Sequence, residues 1–140
     1  MTIFNDIYAA LENQLMTVDS SITRENRIQF PNVASYEPDG TEEYIRAVLI
    51  PGETTQRCLG TCGEDITEGF YQIEVLTPNG MGRSCNIDLI SDVFRRGTDI
   101  HYNDVRIQIL SPSIAAGLKE RNYYVVPMSI RWRAYTPARK

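Results

Sequence analysis

The sequence predicts an α+β fold: a mixed, mainly antiparallel sheet with two helices packed on it. Two segments, Thr2 to Met16 and Met81 to Arg96, repeat apolar residues at spacings of three and four, the helical period. Several other segments alternate apolar and polar residues, as half-buried strands do. Short turns rather than further helices join these runs, which disfavours a doubly wound sheet. The chain has 140 residues, and residues 1–140 are expected to form a single domain. A chain of this size buries roughly two-thirds of its unfolded surface. Its 42% hydrophobic and 23% charged residues are ordinary for a globular domain that needs no disulfide or metal to fold.

In the first helix, Ile3, Phe4, Ile7, Tyr8, Leu11 and Leu15 make one apolar face. Thr2 is its expected N-cap, and Asp6 lies near the positive end of the helix dipole. Ile28 to Phe30 is a short strand stopped by Pro31, and Pro38-Asp39-Gly40 forms a turn. Glu43 to Ile50 alternates as a strand and is expected to end at Pro51-Gly52. From Glu53 to Glu68 the composition is that of turns, with a short strand at Gln56 to Leu59. Gly69 to Leu76 is a stronger strand, closed by the turn Pro78-Asn79-Gly80.

The second helix has Met81, Cys85, Leu89 and Val93 in one row, with Ile90 and Phe94 beside it. Arg95, Arg96 and Gly97 are expected to close it, cations at the negative end and then a glycine free to take positive φ. Strands follow at Asp99 to Tyr102, Val105 to Leu110 and Tyr123 to Ala134, with a hairpin turn at Asn103-Asp104. Pro127 inside the last strand predicts an edge position or a bulge.

The net charge of −4 and pI near 5.0 oppose the broad basic face of a sequence-independent nucleic-acid binder. No direct nucleic-acid recognition is expected. Arg131, Arg133, Arg139 and Lys140 form the one basic run, read as alternate exposed arginines on a strand and then a solvated tail. Met1 to Leu15 carries Asp6 and Glu12 and does not read as a secretory signal. No apolar run approaches the roughly 20 residues of a membrane span. The expected setting is a reducing cytoplasm, until assembly places the protein elsewhere.

No constellation carries chemistry. Cys58, Cys62, Cys85 and His101 are the one imaginable Cys₃His zinc set. Cys85, however, lies in an apolar helix row, where a thiol packs as a small hydrophobe. The only histidine, His101, lacks a Gly-x-Ser-x-Gly elbow or a Cys-His signature to serve. Asn79-Gly80-Met81-Gly82-Arg83 precedes a helix, but Cys85 stands where a dinucleotide fingerprint needs its third glycine. Glu42 with Glu43, and Glu64, Asp65 and Glu68, read as solvated loop carboxylates. The expectation is no enzyme, no metal and no cofactor, and a protein that works through its surfaces.

Several stretches, taken in order, resemble one family. These are Ile3-Phe4-Asn5-Asp6-Ile7, Phe30-Pro31-Asn32 and Gly40-Thr41-Glu42-Glu43-Tyr44-Ile45-Arg46. Gly69-Phe70-Tyr71-Gln72-Ile73 follows, leading through Gly80-Met81-Gly82 to Phe94-Arg95-Arg96-Gly97 and then Val126-Pro127-Met128-Ser129-Ile130-Arg131-Trp132. The chain is similar to the tail-terminator-like, or tail completion, minor tail proteins of long-tailed bacteriophages. The resemblance implies a structural virion protein at the head-proximal end of the tail, assembled in the host cytoplasm. It implies a homo-oligomeric ring, usually a hexamer, that caps the tail tube, ends its polymerisation and offers a head-joining surface. The implied partners are the chain itself, the tail tube protein and the head-tail connector or neck proteins, with no membrane. The expected interface residues are Arg46, Arg95, Arg96, Arg131 and Arg133, since arginine forks suit carboxylates across an interface. A neck or head-completion protein of the same virion is the alternative, and a small ligand-binding module or a cytoplasmic enzyme is further off.

Overall fold

A computed structural model describes residues 3–18, 27–29, 42–56, 64–80, 86–120 and 122–137. The expectations for Thr2, Phe30, Pro31, the turn at Pro38 to Gly40, Cys58, Cys62, Met81 to Cys85, Arg139 and Lys140 lie outside the described residues. The elements are α1 (Ile3–Leu15), β1 (Ile28–Gln29), β2 (Tyr44–Gln56), β3 (Glu64–Pro78), α2 (Asn86–Val93), β4 (Asp99–Tyr102), β5 (Val105–Ile114), β6 (Leu118–Glu120) and β7 (Tyr123–Pro137). The sheet order is β1-β2-β3-β7-β5-β4, with β6 also pairing β7. Every pairing is antiparallel except the parallel β1–β2 contact. The fold is α+β and dominated by its sheet. No helix among the described residues is long and apolar enough to cross a membrane.

One face of the sheet carries the main core. Ile45, Ala47 and Leu49 of β2 lie with Tyr71, Ile73 and Val75 of β3, and with Met128, Ile130 and Trp132 of β7. This is the period-2 alternation visible in the sequence. Ile7, Ala10, Leu11 and Leu15 of α1 are fully buried in the same cluster, joined by Ile90 and Phe94 from the second helical segment. Each such large side chain contributes roughly 1.5–3 kcal/mol by leaving water. The Gln14 amide of α1 donates to the Val93 carbonyl at 2.7 Å, fastening one helix to the end of the other. The Leu49 N–H donates to the Tyr8 hydroxyl at 3.3 Å, which satisfies a strand group on the flank of β2.

Several strands run past their expected ends. β2 continues through Pro51-Gly52 to Gln56, because a bulge between Pro51 and Thr54 lets pairing with β3 resume one residue out of step. A Cβ on Gly52 would lie 2.2 Å from the Glu68 carbonyl oxygen, so only glycine fits there. β3 begins at Glu64, so Asp65 and Glu68 belong to a strand and not to a loop. β5 extends to Ile114 through a second bulge between Ile109 and Ser111.

β7 is not an edge strand. It pairs with β3 on one side and with β5 and β6 on the other. Pro127 is accommodated at a seam: β5 pairing ends at Met128, β6 pairing starts at Val125, and the Pro127 carbonyl accepts from Ala115 N–H at 3.0 Å. A residue's N and O point to the same neighbouring strand, so the missing N–H of Pro127 faces this gap. By the same alternation Ser111 and Ser113 face β7, and Pro112 faces the outer edge, where it removes a donor from an exposed strand.

The second helix closes differently from the expectation. α2 ends at Val93, and Phe94 N–H still donates to the Ile90 carbonyl at 3.2 Å. Gly97, with φ 87°, is the third residue of a separate turn closed by Thr98 N–H to the Arg95 carbonyl at 3.1 Å. Its own N–H reaches the Ile109 carbonyl at 2.8 Å and delivers the chain to the sheet. Asn103, φ 51°, turns the β4–β5 hairpin as expected.

Candidate functional site

The opposite face of the sheet holds the charge. At one end it curls inward: the Tyr44 and Tyr123 rings meet edge-to-face at 5.1 Å although β3 lies between their strands. Tyr44, Leu76, Tyr123 and Val125 form a small second core there. Arg46 closes over it, with Nη2 at 3.0 Å from Glu74 Oε2 and 3.2 Å from Glu120 Oε2. Burial works against the Arg46 charge, but its bonds to Glu120 and Glu74 outweigh this and raise its pKa.

Further along the same face, Glu68 of β3 lies opposite Arg133 and beside Arg131 of β7. Arg133 Nη2 is 2.8 Å from Glu68 Oε1, and Arg131 Nη2 is 3.5 Å from Glu68 Oε2. Hydrogen bonds with Tyr135 and then Glu68 raise the Arg133 pKa. Beyond it, the Arg106 guanidinium stacks 4.9 Å from the Tyr135 ring centre and pairs with Asp99 at 3.5 Å. Val48 lies between the two arginine–glutamate clusters, and Ile50 and Phe70 lie in the row of Arg131; the three are 37%, 44% and 45% exposed.

Three of the five expected arginines therefore share one face: Arg46, Arg131 and Arg133. Arg95 and Arg96 do not join them, since they lie exposed on the connection between α2 and β4. Glu68, Glu74 and Glu120 were missed as members of the face. Reading β3 from its true start would have placed Glu68 on one side with Phe70, Gln72 and Glu74, whereas Glu120 lies on the short strand β6.

Nor are the paired carboxylates simply solvated. Glu43 accepts from Thr77 Oγ1 at 2.9 Å and from the buried Asn86 amide, tying the start of α2 to β3. Glu42 pairs with Arg27 at 3.5 Å. His101 is exposed on β4 opposite Arg106. Among the described residues no three His, Cys, Asp or Glu side chains come together as a metal site.

A family model described as phage tail terminator protein matches residues 6–132. Nine solved chains match in structure. One of them shares 18% identity at a TM-score of 0.72, with 94% of each chain covered. At that identity the likeness shows the fold alone. A comparison with curated proteins returned no match.

Proposed function

Because the chain belongs to the phage tail terminator family, whose members are structural proteins of the phage tail, we propose that it caps the head-proximal end of the tail tube as a ring. The family match over residues 6–132 is the observation that carries this reading. Residues 1–140 act as one domain, the ring has six subunits, and it ends tube polymerisation and presents the head-joining surface. Its partners are further copies of itself, the tail tube protein and the connector or neck proteins. It is assembled in the host cytoplasm and stays in the virion.

A cyclic ring joins two different patches of identical subunits. The charged sheet face, with Arg46, Arg131 and Arg133, supplies one. The exposed side of α2 with the connection after it, carrying Asp88, Asp92, Arg95 and Arg96, supplies the other. Carboxylates of one patch then meet arginine forks of the next, a pairing that guanidinium geometry favours. The reading is tested by adding the purified protein to polymerising tube protein and imaging by negative stain. Tubes should stop short and carry a ring at one end. Tubes that lengthen as they do without it contradict the reading.

A further inference from the structure

We propose that the open sheet face also pairs two free subunits about a two-fold axis, as a closed dimer distinct from the ring. The two charge clusters on this face are unbalanced in opposite senses. Arg46 stands between two glutamates, leaving one excess negative charge. Glu68 stands between two arginines, leaving one excess positive charge. Phe70 and Ile50, paired across β3 and β2 in the row of Arg131, flank the positive cluster on the side nearer Arg46 and are each more than two-fifths exposed.

An isologous contact brings each patch of one copy onto the complementary patch of the other. Rotating this face by half a turn does that: the positive end of each copy meets the negative end of its partner, twice, with the Val48 and Gln72 row near the axis and Phe70 of each copy set against the partner's negative end. A single-sign face would repel its own copy, whereas this arrangement attracts it. Arg131 is the member best placed to reach across, since its side chain is 53% exposed and its bond to Glu68 is the longer of the two. From Arg46 to Phe70 and Glu68 the patch runs about 20 Å along the strands, at ~3.4 Å per residue. A patch that small gives a weak dimer rather than a permanent one. The dimer hides a face that the ring needs, so it holds subunits in reserve.

The test needs no tube, so it can fail while the ring reading stands, and the reverse. Sedimentation equilibrium of the full chain across concentration should show a monomer passing to a dimer and nothing larger. Two charge-swapped variants are made, Arg131→Glu with Arg133→Glu, and Glu74→Arg with Glu120→Arg. Each alone should dimerise at least about tenfold more weakly, because like charge then faces like charge at both ends. Mixed one to one, they should form a heterodimer. Phe70→Ser should weaken the wild-type dimer while circular dichroism and melting confirm that each variant is folded. Folded variants that stay monomeric when mixed, a Phe70→Ser protein that dimerises as the wild type does, or growth beyond the dimer overturns the proposal.

Discussion

Arg131 and Arg133 share a single carboxylate, and that sets what their substitution does within one subunit. Reversing both puts three negative charges on adjacent strands, in a place that is still a third or more exposed to water. The expected cost to the fold is about 1 kcal/mol, a shift of a few degrees in melting. A much larger loss of capping would then belong to the interface. Glu12 makes a sharper case. Burial raises its pKa above the ordinary 4.5, and its charge adds to the burial that pushes the Tyr71 hydroxyl upward. The folded chain thus holds the Glu12 proton more tightly than the unfolded one. The stabilisation is complete below pH 4.5 and is lost as pH rises through the raised folded value. Glu12→Gln, which mimics the protonated form, should melt above the wild type at neutral pH and match it in acid. An equal difference at both pH values contradicts this. Strand alternation made the outward side of Arg46, Arg131 and Arg133 legible in the sequence. Their glutamate partners were not, because Arg46 meets Glu120 only through the curl of the sheet, 74 residues along the chain.

Element identity followed from periodicity, and element length did not. The helical rows of α1 and the alternations of β2, β3 and β7 all appear where the residues place them. Turn-forming residues gave the wrong stops: Pro51-Gly52 reads as an end but belongs to a bulge, after which pairing with β3 resumes at Thr54. Pro127 reads as an edge marker, yet β7 lies with β3 at the middle of the sheet, and β5 and β6 meet opposite the missing N–H. Such answers depend on neighbours distant in sequence, which local pattern does not contain. The bulge supplies a prediction for this scale. A Cβ on Gly69 would sit 2.4 Å from the Ile50 carbonyl oxygen and 2.8 Å from the Trp132 ring. Gly69→Ala should therefore cost roughly 2–4 kcal/mol, read by chemical denaturation, as backbone-blocked sites in cores do. Gly97→Ala meets open space and is opposed only by its φ of 87°, so its cost should be nearer ~1 kcal/mol. If both substitutions cost the same, close approach is not what fixes Gly69.

At the scale of the whole molecule, one sheet face is spent on the core and the other carries the arginine–glutamate clusters. Proline faces the free edge of β5, which discourages unplanned strand addition. Charged side chains on the open face surround the exposed Val48, Ile50 and Phe70. The net charge of −4 adds repulsion between free copies that salt screens. Ring formation on a tube end should therefore strengthen with ionic strength up to the point where the arginine–carboxylate contacts themselves are screened. Light scattering of the protein with tubes across a salt series reads this as a maximum, and a monotonic fall contradicts it. As the proposed terminator, this chain would stop a polymer which cannot stop itself. Each added tube ring presents the same surface again, and growth halts only when a different protein covers it. The direct measurement is tail length by electron microscopy in a strain lacking this protein. Overlong tails of varied length beside filled heads without tails are the expected result. Tails of normal, uniform length joined to heads would contradict it.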